Sequence, residues 1–131
     1  MRRPAIALVV ILLGLGLFAS GLGWVLDTPR PPANASRAER LYLGLCATCH
    51  GVDGHGTWRA TLFLIRPGDL GDAVRMRGQS DQYLIDIIKH GGAPLGRPGM
   101  PAFGATLSED DIRALVAYLR TLGSTERRAG S

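Results

Sequence analysis

Residues 45–51 of the chain read L-C-A-T-C-H-G, and this short stretch decides the fold. Cys46 and Cys49 are the 2 cysteines of the 131-residue sequence, and His50 follows the second of them directly. Two cysteines are too few for a disulfide framework, so the pair must serve one local purpose. The imidazole beside the second thiol indicates a purpose that uses the three side chains together.

Four uses of this motif compete. A disulfide between Cys46 and Cys49 would close a very small loop and would constrain little of the unfolded chain. A thioredoxin-like redox pair normally lies near a βαβ pattern, and the sequence shows no such pattern. A zinc site would need four ligands, and His55 could complete a set with the two cysteines and His50. However, His50 lies so close to Cys49 that both ligands on one tetrahedron would be strained.

The fourth use is covalent attachment of a c-type haem, which is the known role of a C-x-x-C-H motif. The two thiols can add to the two vinyl groups on one edge of the porphyrin. His50, the next residue, then lies under the macrocycle, where its imidazole can bind iron. We favour haem attachment because the chain also begins with a segment that is typical of export.

That N-terminal segment is strongly apolar. Residues 5–26 carry no charge, and as a helix they would span about 33 Å, which is enough for the core of a bilayer. Arg2 and Arg3 precede the run, and Trp24 lies near its end, where an indole suits the membrane interface. We therefore predict a single-pass anchor in the cell inner membrane, with a cytoplasmic N-terminus and a periplasmic domain. A cleaved signal peptide, with a small-residue site at 33–35, is the alternative.

A proline-rich segment follows the apolar run: residues 27–35 read D-T-P-R-P-P-A-N-A. Its prolines favour polyproline II at about 3.1 Å per residue, which gives a semi-rigid spacer about 28 Å long. We expect this spacer to hold a small domain off the membrane and to let it swing. The predicted organisation is an anchor at 1–26, a linker at 27–35, a folded domain at 36–123 and a flexible tail at 124–131.

Caps and apolar periodicity predict three helices in the folded domain. Their start and stop signals are Ser36 with Glu39 for the first, Ser80 and Gly91 for the second, and Ser108 and Gly123 for the third. Two long irregular stretches, 51–79 and 92–107, separate them, and loops of this length usually wrap something. A domain of about 85 residues has a small core of its own, so a bound prosthetic group would supply the missing apolar interior.

The charge balance argues against one class of partner. The net charge of +4 comes from the ends of the chain, because residues 37–122 hold ten basic and nine acidic side chains. No basic stripe interleaved with aromatic residues is visible, so we do not expect nucleic-acid binding.

Four pieces of sequence carry a resemblance to a known family. They are L-Y-L-G-L-C-A-T-C-H-G-V-D-G-H-G at 41–56, R-P-G-D-L at 66–70, P-G-M-P-A-F-G at 98–104 and L-S-E-D-D-I-R-A-L-V-A-Y-L-R-T-L at 107–122. Together they resemble the small single-haem, class I c-type cytochromes over about residues 36–122. The resemblance implies an all-α cytochrome c fold, with three or more short helices and long loops wrapped around one covalently bound haem c.

The same resemblance implies roles for individual residues. His50 would be the proximal iron ligand, and Pro67 matches the proline whose carbonyl accepts the imidazole N–H. Met100 matches the distal ligand, while Tyr42 and Tyr118 match aromatic positions where the first and last helices cross. The implied cofactor-binding set is Cys46, Cys49, His50, Pro67 and Met100, with His50 and Met100 on the iron.

Other residues could bind the distal side of the iron. Met76 lies in the polar context R-M-R, where we expect a solvated or half-buried side chain. His90 ends a helix and is expected to act as a C-terminal cap, and His55 is expected to face water. Met100 lies in a flexible Gly-Pro loop that can fold over the open face. The apolar run at 62–65 is expected to line the pocket, with a docking patch as the alternative.

An iron held on both axial sides leaves no position for a substrate, so the resemblance implies an electron carrier rather than an enzyme. The main prediction is a membrane-anchored carrier of single electrons in a respiratory or photosynthetic chain, between a quinol-oxidising complex and a terminal oxidase or reductase. The alternative is a fixed c-haem subunit of a larger membrane oxidoreductase complex.

The expected surface around the haem is of mixed charge. Arginines at positions 66, 75, 77 and 97 come from loops that should rim the haem. Nearby aspartates at positions 69, 72 and 81 should weaken any steering of an acidic partner.

Overall fold

The computed structural model describes residues 2–27 and 29–129, and within them the side chains of residues 3–27 and 29–122. The helices are α1 (Arg2–Leu26), α2 (Arg37–Leu45), α3 (Ala47–His50), α4 (Trp58–Leu62), α5 (Ala73–Arg77), α6 (Asp81–His90) and α7 (Glu109–Ala129), with a 3₁₀ turn at Ala93–Leu95. Within the described ranges the chain has no β-strand, which confirms the all-α prediction.

Helix α1 has the properties of a membrane anchor. Its segment Arg3–Leu26 has a mean hydropathy of 2.6, and none of it is buried against the rest of the described chain. Large apolar side chains such as Leu17 and Phe18 are exposed, and so much apolar surface is unfavourable in water. The predicted N-terminal apolar helix is therefore present, and its length and composition suit a bilayer.

The end of α1 lies against the domain instead of standing away from it. The ring of Trp24 stacks on that of Trp58, with centroids 5.2 Å apart, and Arg59 Nη2 donates a 2.8 Å hydrogen bond to the Trp24 carbonyl. In the linker, the Ala35 N–H donates to the Pro32 carbonyl at 3.0 Å, which forms a turn. These contacts place the helix end against α4, whereas the spacer was expected to hold the domain off the membrane and to let it swing.

The helix caps follow the sequence signals. Side-chain oxygens of three N-cap serines accept backbone N–H groups: Ser36 from Glu39, Ser80 from Tyr83 and Ser108 from Asp111, each at 3.1 Å. Gly91 ends α6 with φ at 76°, a conformation that residues with a Cβ rarely adopt. The three predicted helix starts and the predicted end of α6 are therefore confirmed.

Two features of the helices differ from the prediction. The stretch 51–79 contains α4 and α5, which have 5 residues each and are too short to show periodicity. Thr57 and Asp72 cap them. Helix α7 passes through Gly123 and continues to Ala129, because one glycine inside a helix costs only about 1 kcal/mol and no proline follows. The predicted end of this helix at Gly123 is therefore wrong, while the predicted flexible tail at 124–131 stays a prediction, and residues 130 and 131 lie outside the described ranges.

The core of the domain forms around α7, against which α2, α5 and α6 pack. Tyr42 of α2 is fully buried, and its ring lies 5.3 Å from that of Tyr118 on α7 with a 50° tilt. These are the aromatic positions expected where the first and last helices of the domain cross. Burying such rings contributes several kcal/mol of hydrophobic stabilisation at about 25 cal/mol per Å².

Two arginines tie the helices together at the rim of the core. Arg37 on α2 contacts both carboxylate oxygens of Asp111 on α7, at 2.5 and 2.9 Å. Hydrogen bonds from Arg37 and then Ser108 lower the pKa of Asp111 far below its ordinary value. Arg120 donates to the Gln79 carbonyl at 2.7 Å and to Asp81 at 2.5 Å, which ties α7 to the start of α6.

Candidate cofactor-binding site

The cysteine motif forms the corner between α2 and α3. Cys46 ends α2 and begins α3, and its carbonyl accepts the N–H of Cys49 at 3.1 Å and that of His50 at 2.9 Å. Cys46, Cys49 and His50 therefore lie within a single helical turn. Both cysteines are partly buried and unbonded to each other. Burial, and then the neighbouring Cys49, raises the pKa of the Cys46 thiol to about 11.

Gly51 makes the turn that follows the motif. Its φ of 79° and ψ of 161° lie in a region that is accessible almost only to glycine, and a Cβ there would approach the Gly56 carbonyl oxygen to 2.9 Å. The hydroxyl of Tyr42 donates to the Gly51 carbonyl at 2.6 Å inside the core. The N–H of Gly56 returns to the His50 carbonyl at 2.7 Å. Two hydrogen bonds therefore fix the backbone on the C-terminal side of the motif, one from the core residue Tyr42 and one from Gly56 in the following loop.

The His50 ring is oriented by a backbone carbonyl. Its Nδ1 lies 3.0 Å from the Gly68 carbonyl oxygen, and because a carbonyl can only accept, Nδ1 must carry the proton. Nε2 is then the ring nitrogen that remains for a metal. Burial lowers the pKa of His50, and the carbonyl opposes this effect. The ring is thus kept neutral and fixed in direction, as a metal ligand requires.

The identity of the accepting carbonyl differs from the prediction. The resemblance implied the carbonyl of Pro67, whereas the structure has that of Gly68, one residue later. The loop is fixed just beyond this point by the N–H of Leu70, which donates to the Gly54 carbonyl at 2.8 Å. Pro67 itself lies in the wall of the same cavity.

One large cavity lies beside the motif, with a volume of about 670 Å³. Most of its wall is apolar, and its residues come from α2, α3, α5, α6 and α7 and from the two long loops. The predicted site residues in its wall are Cys46, Cys49, His50, Pro67 and Met100. The cavity is of the size that binds cofactors, and the two thiols, one imidazole and two thioethers in its wall are a donor set that suits a haem. The residues present therefore fit the group that the motif predicts.

The loop that carries Met100 is tied to the end of α6. The Met100 carbonyl accepts the N–H of Gly92 at 2.9 Å, and the N–H groups of Phe103 and Gly104 donate to the Ile88 and Lys89 carbonyls at 2.9 and 3.0 Å. Met100 is half-buried and packs against the hydrophobic core. The loop expected to be flexible is thus held in position by backbone bonds.

The other candidate distal ligands have distinct surroundings. Met76 is 4% exposed and belongs to the hydrophobic core, so the expectation of a solvated or half-buried side chain is wrong. Its helix α5 packs against α7, which buries the residue in spite of its arginine neighbours. His55 pairs with Asp69, with Nδ1 3.0 Å from Oδ1, and His90 is exposed in the last turn of α6. Of these residues, Met76 and Met100 line the cavity.

The cavity wall contains more basic than acidic side chains. Arg66, Arg75 and Arg97 line the cavity, while Arg77 does not. Of the aspartates expected to offset them, Asp69 lines the cavity but bonds to His55. The two other aspartates have different partners: Asp72 caps α5, and Asp81 pairs with Arg120. Of these charged side chains, three arginines and one aspartate thus lie in the cavity wall, a mixed set with a surplus of positive charge.

The four residues of the apolar run at 62–65 lie in two different environments. Leu64 and Ile65 line the cavity, as expected, whereas Leu62 and Phe63 do not. Leu62 and Phe63 are 62% and 69% exposed. Leu64 has a positive φ of 58°, which is uncommon for a branched side chain.

Two functional details escaped sequence reasoning. One is Gly68, whose carbonyl binds His50; a loop carbonyl leaves no signal in the side-chain pattern. The other is the hydrogen bond from the Tyr42 hydroxyl to the Gly51 carbonyl. The sequence showed only that Tyr42 is an aromatic residue in a helix and did not indicate a partner for its hydroxyl.

The chain is similar to known proteins over most of its folded part. Residues 33–119 match the protein family described as Cytochrome C oxidase, cbb3-type, subunit III. Over 97 residues, which are 74% of this chain and 29% of the relative, the chain is 31% identical to the cbb3-type cytochrome c oxidase subunit FixP of Azorhizobium caulinodans. It is 30% identical to subunit CcoP of Rhodobacter capsulatus, covering 72% of this chain and 31% of that protein.

A solved structure is also similar. The chain superimposes on a protein named KustC0563 c-type cytochrome with a TM-score of 0.55 and 32% identity, covering 65% of this chain and 95% of the other. The chain spans less than a third of the length of the two oxidase subunits. The match over residues 33–119 includes the cysteine motif and the Met100 loop. The chain therefore belongs to the family of cbb3-type cytochrome c oxidase subunit III, as a c-type cytochrome domain behind an N-terminal apolar helix.

Proposed function

We propose that the chain carries one haem, joined covalently through Cys46 and Cys49, with His50 and Met100 as the two iron ligands. The observation that supports this proposal is the single cavity of about 670 Å³ whose wall contains all four side chains. When bound there, the haem would supply reversible one-electron transfer. Because both axial sides would be held by protein ligands, the role is electron transfer and not catalysis on a substrate.

The residues around the cavity have separate tasks in this proposal. His50, fixed through the Gly68 carbonyl, presents Nε2 with a set direction and raised basicity. Met100 contributes a soft thioether, which favours the ferrous state and raises the reduction potential. Arg66, Arg75 and Arg97 supply positive charge for the carboxylates of the cofactor and for an acidic partner surface.

We further propose that the chain works as the c-haem subunit of a membrane oxidoreductase complex that contains a terminal oxidase. Both oxidase relatives are named as subunits of such an enzyme, which favours this role over an independent shuttle. A quinol-oxidising complex as electron donor remains part of the proposal. Residues 1–26 would anchor the chain in the inner membrane, with residues 36–122 on the periplasmic side.

Covalent attachment can be tested directly. The full chain should be produced in a host that matures c-type cytochromes and extracted with acidified organic solvent. We expect the colour to stay with the protein, and we expect the double variant Cys46→Ala, Cys49→Ala to release it or to carry none. Colour that passes into the solvent from the unmodified chain would contradict the proposal, as would stoichiometric zinc in the purified protein.

The subunit role needs a separate measurement. After gentle detergent extraction from its own membranes, the chain should elute in a particle much larger than itself that oxidises an electron donor with oxygen. A chain that elutes alone while the oxidase activity elutes elsewhere would favour the shuttle.

A further inference from the structure

An exposed apolar tip lies beside the end of the membrane anchor. It consists of Trp58, Leu62 and Phe63, which are 48%, 62% and 69% exposed. Neither Leu62 nor Phe63 lines the cofactor cavity, so the proposed haem does not account for their exposure. Adjacent exposed apolar side chains of this size usually mark a surface that is covered by something other than water.

The tip is continuous with the anchor. Trp58 stacks on Trp24 at 5.2 Å with an interplanar angle of 18°, and Trp24 stands two residues before the end of α1. Arg59 donates to the Trp24 carbonyl at 2.8 Å and lies 5.7 Å from the Trp58 ring centroid. The helix end and the tip are thus joined by an aromatic stack and a hydrogen bond. If α1 spans the bilayer, the tip must lie at the level where the chain leaves it.

The charges around the tip suit a lipid surface. Residues 57–68 read T-W-R-A-T-L-F-L-I-R-P-G and contain two arginines and no acidic residue. Tryptophan favours the membrane interface, apolar side chains can enter the boundary of headgroups and acyl chains, and arginine attracts anionic headgroups. The combination of aromatic, aliphatic and basic side chains is that of an interfacial membrane contact.

We propose that Leu62 and Phe63, together with the Trp24–Trp58 stack, insert into the outer-leaflet interface of the bilayer beside α1. The domain is thereby held against the lipid in one orientation. The cavity wall at Leu64 and Ile65 then faces the membrane-proximal side. This contact depends on α1 spanning the membrane but not on the haem assignment, so each can fail without the other.

The test uses the full haem-loaded chain in vesicles of phosphatidylcholine and phosphatidylglycerol. A p-acetylphenylalanine, which leaves both cysteines untouched, replaces Phe63 and is coupled to a nitroxide. Collision rates with oxygen and with the water-soluble complex NiEDDA then report depth. The same label at Val74, which is 72% exposed and lies outside the tip, serves as the water-phase reference. A label at Leu13 in α1 serves as the bilayer reference.

We expect the Phe63 label to collide with NiEDDA several-fold less often than the Val74 label, while oxygen still reaches it. Equal NiEDDA collision rates at Phe63 and Val74 would overturn the proposal. Shielding of Phe63 from both reagents would also overturn it, since that indicates burial against protein. A Leu13 label open to NiEDDA would do the same, because α1 would not then span the bilayer.

A second variant examines the tip itself. Leu62→Asp adds a charge at an exposed position, so it should leave the fold intact while making insertion unfavourable. The Phe63 label in this variant should regain the NiEDDA collision rate of the Val74 label. Val74→Asp is the matched control and should change nothing at Phe63. Persistent shielding in Leu62→Asp would refute the proposed lipid contact.

Discussion

The backbone N–H of Gly92 donates to the carbonyl oxygen of Met100 at 2.9 Å. This bond joins the end of α6 to the loop that carries the proposed distal ligand. The neighbouring Gly91 makes the junction possible, because a Cβ at that position would approach the Met100 carbonyl oxygen to 2.9 Å. The position of the thioether therefore depends on a glycine that is not itself a ligand.

Gly91→Ala should displace the Met100 loop. Gly91 has φ 76° and ψ 179°, a region nearly restricted to glycine, so alanine should cost about 3 kcal/mol in strain before the contact with Met100 is counted. The free energy of unfolding from denaturant titrations should fall by at least this amount, with loss of the methionine-ligation signature in the ferric visible spectrum.

Gly96→Ala is the matched control for that substitution. Gly96 has φ 71° and ψ 20°, which is left-handed helical, and a Cβ there meets nothing within 4 Å in the described chain. Its cost should be about 1 kcal/mol with an unchanged spectrum. Equal effects of the two variants on the spectrum would contradict a specific role for Gly91.

Met100→Leu should remove the distal ligand while keeping a similar volume. We expect the weak ferric absorption band at the red end of the spectrum to disappear, cyanide to bind readily, and the reduction potential to fall because the soft thioether is lost. Visible spectroscopy, cyanide titration and a redox titration measure these changes. A clearly negative midpoint potential in the unmodified protein would itself argue against methionine ligation.

The comparison variant is Met76→Leu. Met76 lines the same cavity but is buried in the core, and a volume-conserving exchange should cost less than about 1.5 kcal/mol. The ferric spectrum and the potential should stay as they are. If this variant loses the red-end band and Met100→Leu keeps it, the two methionines have been assigned the wrong way round.

Tyr42→Phe should destabilise the corner that holds the cysteine motif. The variant removes the 2.6 Å hydrogen bond to Gly51 and leaves a buried carbonyl without its partner, which typically costs about 1–3 kcal/mol. Thermal or denaturant unfolding measures the loss. Tyr118→Phe keeps the ring pair and removes a half-buried hydroxyl, so its effect should stay within about 0.5 kcal/mol. Equal losses in both variants would show that the Gly51 bond is not the cause.

The ion pair between Arg37 and Asp111 should make part of the stability depend on acid pH. The pKa of Asp111 is lowered from its ordinary value of 3.8 by hydrogen bonds from Arg37 and Ser108. A lowered folded-state pKa means that the contribution is present above about pH 4 and is lost as the pH falls further through the folded value. Asp111→Asn should therefore be less stable than the unmodified chain at neutral pH, and the difference should shrink in acid.

Asp110→Asn provides the neighbouring control for that series. The Asp110 side chain is 96% exposed and pairs with Arg113 at 3.3 Å, so its removal should change stability little at any pH. Urea titrations at a series of pH values give the comparison. A constant difference between Asp111→Asn and the unmodified chain from neutral to acid pH would rule out the linkage.

Much of the fold could be predicted because its signals are local. The serine caps of α2, α6 and α7, the glycine that ends α6 and the apolar run of α1 each depend on a few neighbouring residues. The spacing of Cys46, Cys49 and His50 is local in the same sense, since one helical turn brings them together. Helices α4 and α5 were missed because five residues are too few to show a period.

The remaining features could be identified only from the tertiary structure, because they join residues that are far apart in the sequence. Local chemistry in the sequence was enough to predict the apolar N-terminal helix, three helices of the domain and the use of the cysteine–histidine motif, while the resemblance to a family supplied the all-α fold class. Tertiary packing decided that Gly68 rather than Pro67 orients His50, that Met76 enters the core beside α7, and that Trp24 meets Trp58. Each of these contacts arises from loop closure over 18 residues or more or from helix packing. The free energy of such contacts depends on the whole arrangement and not on the residues nearby in the chain.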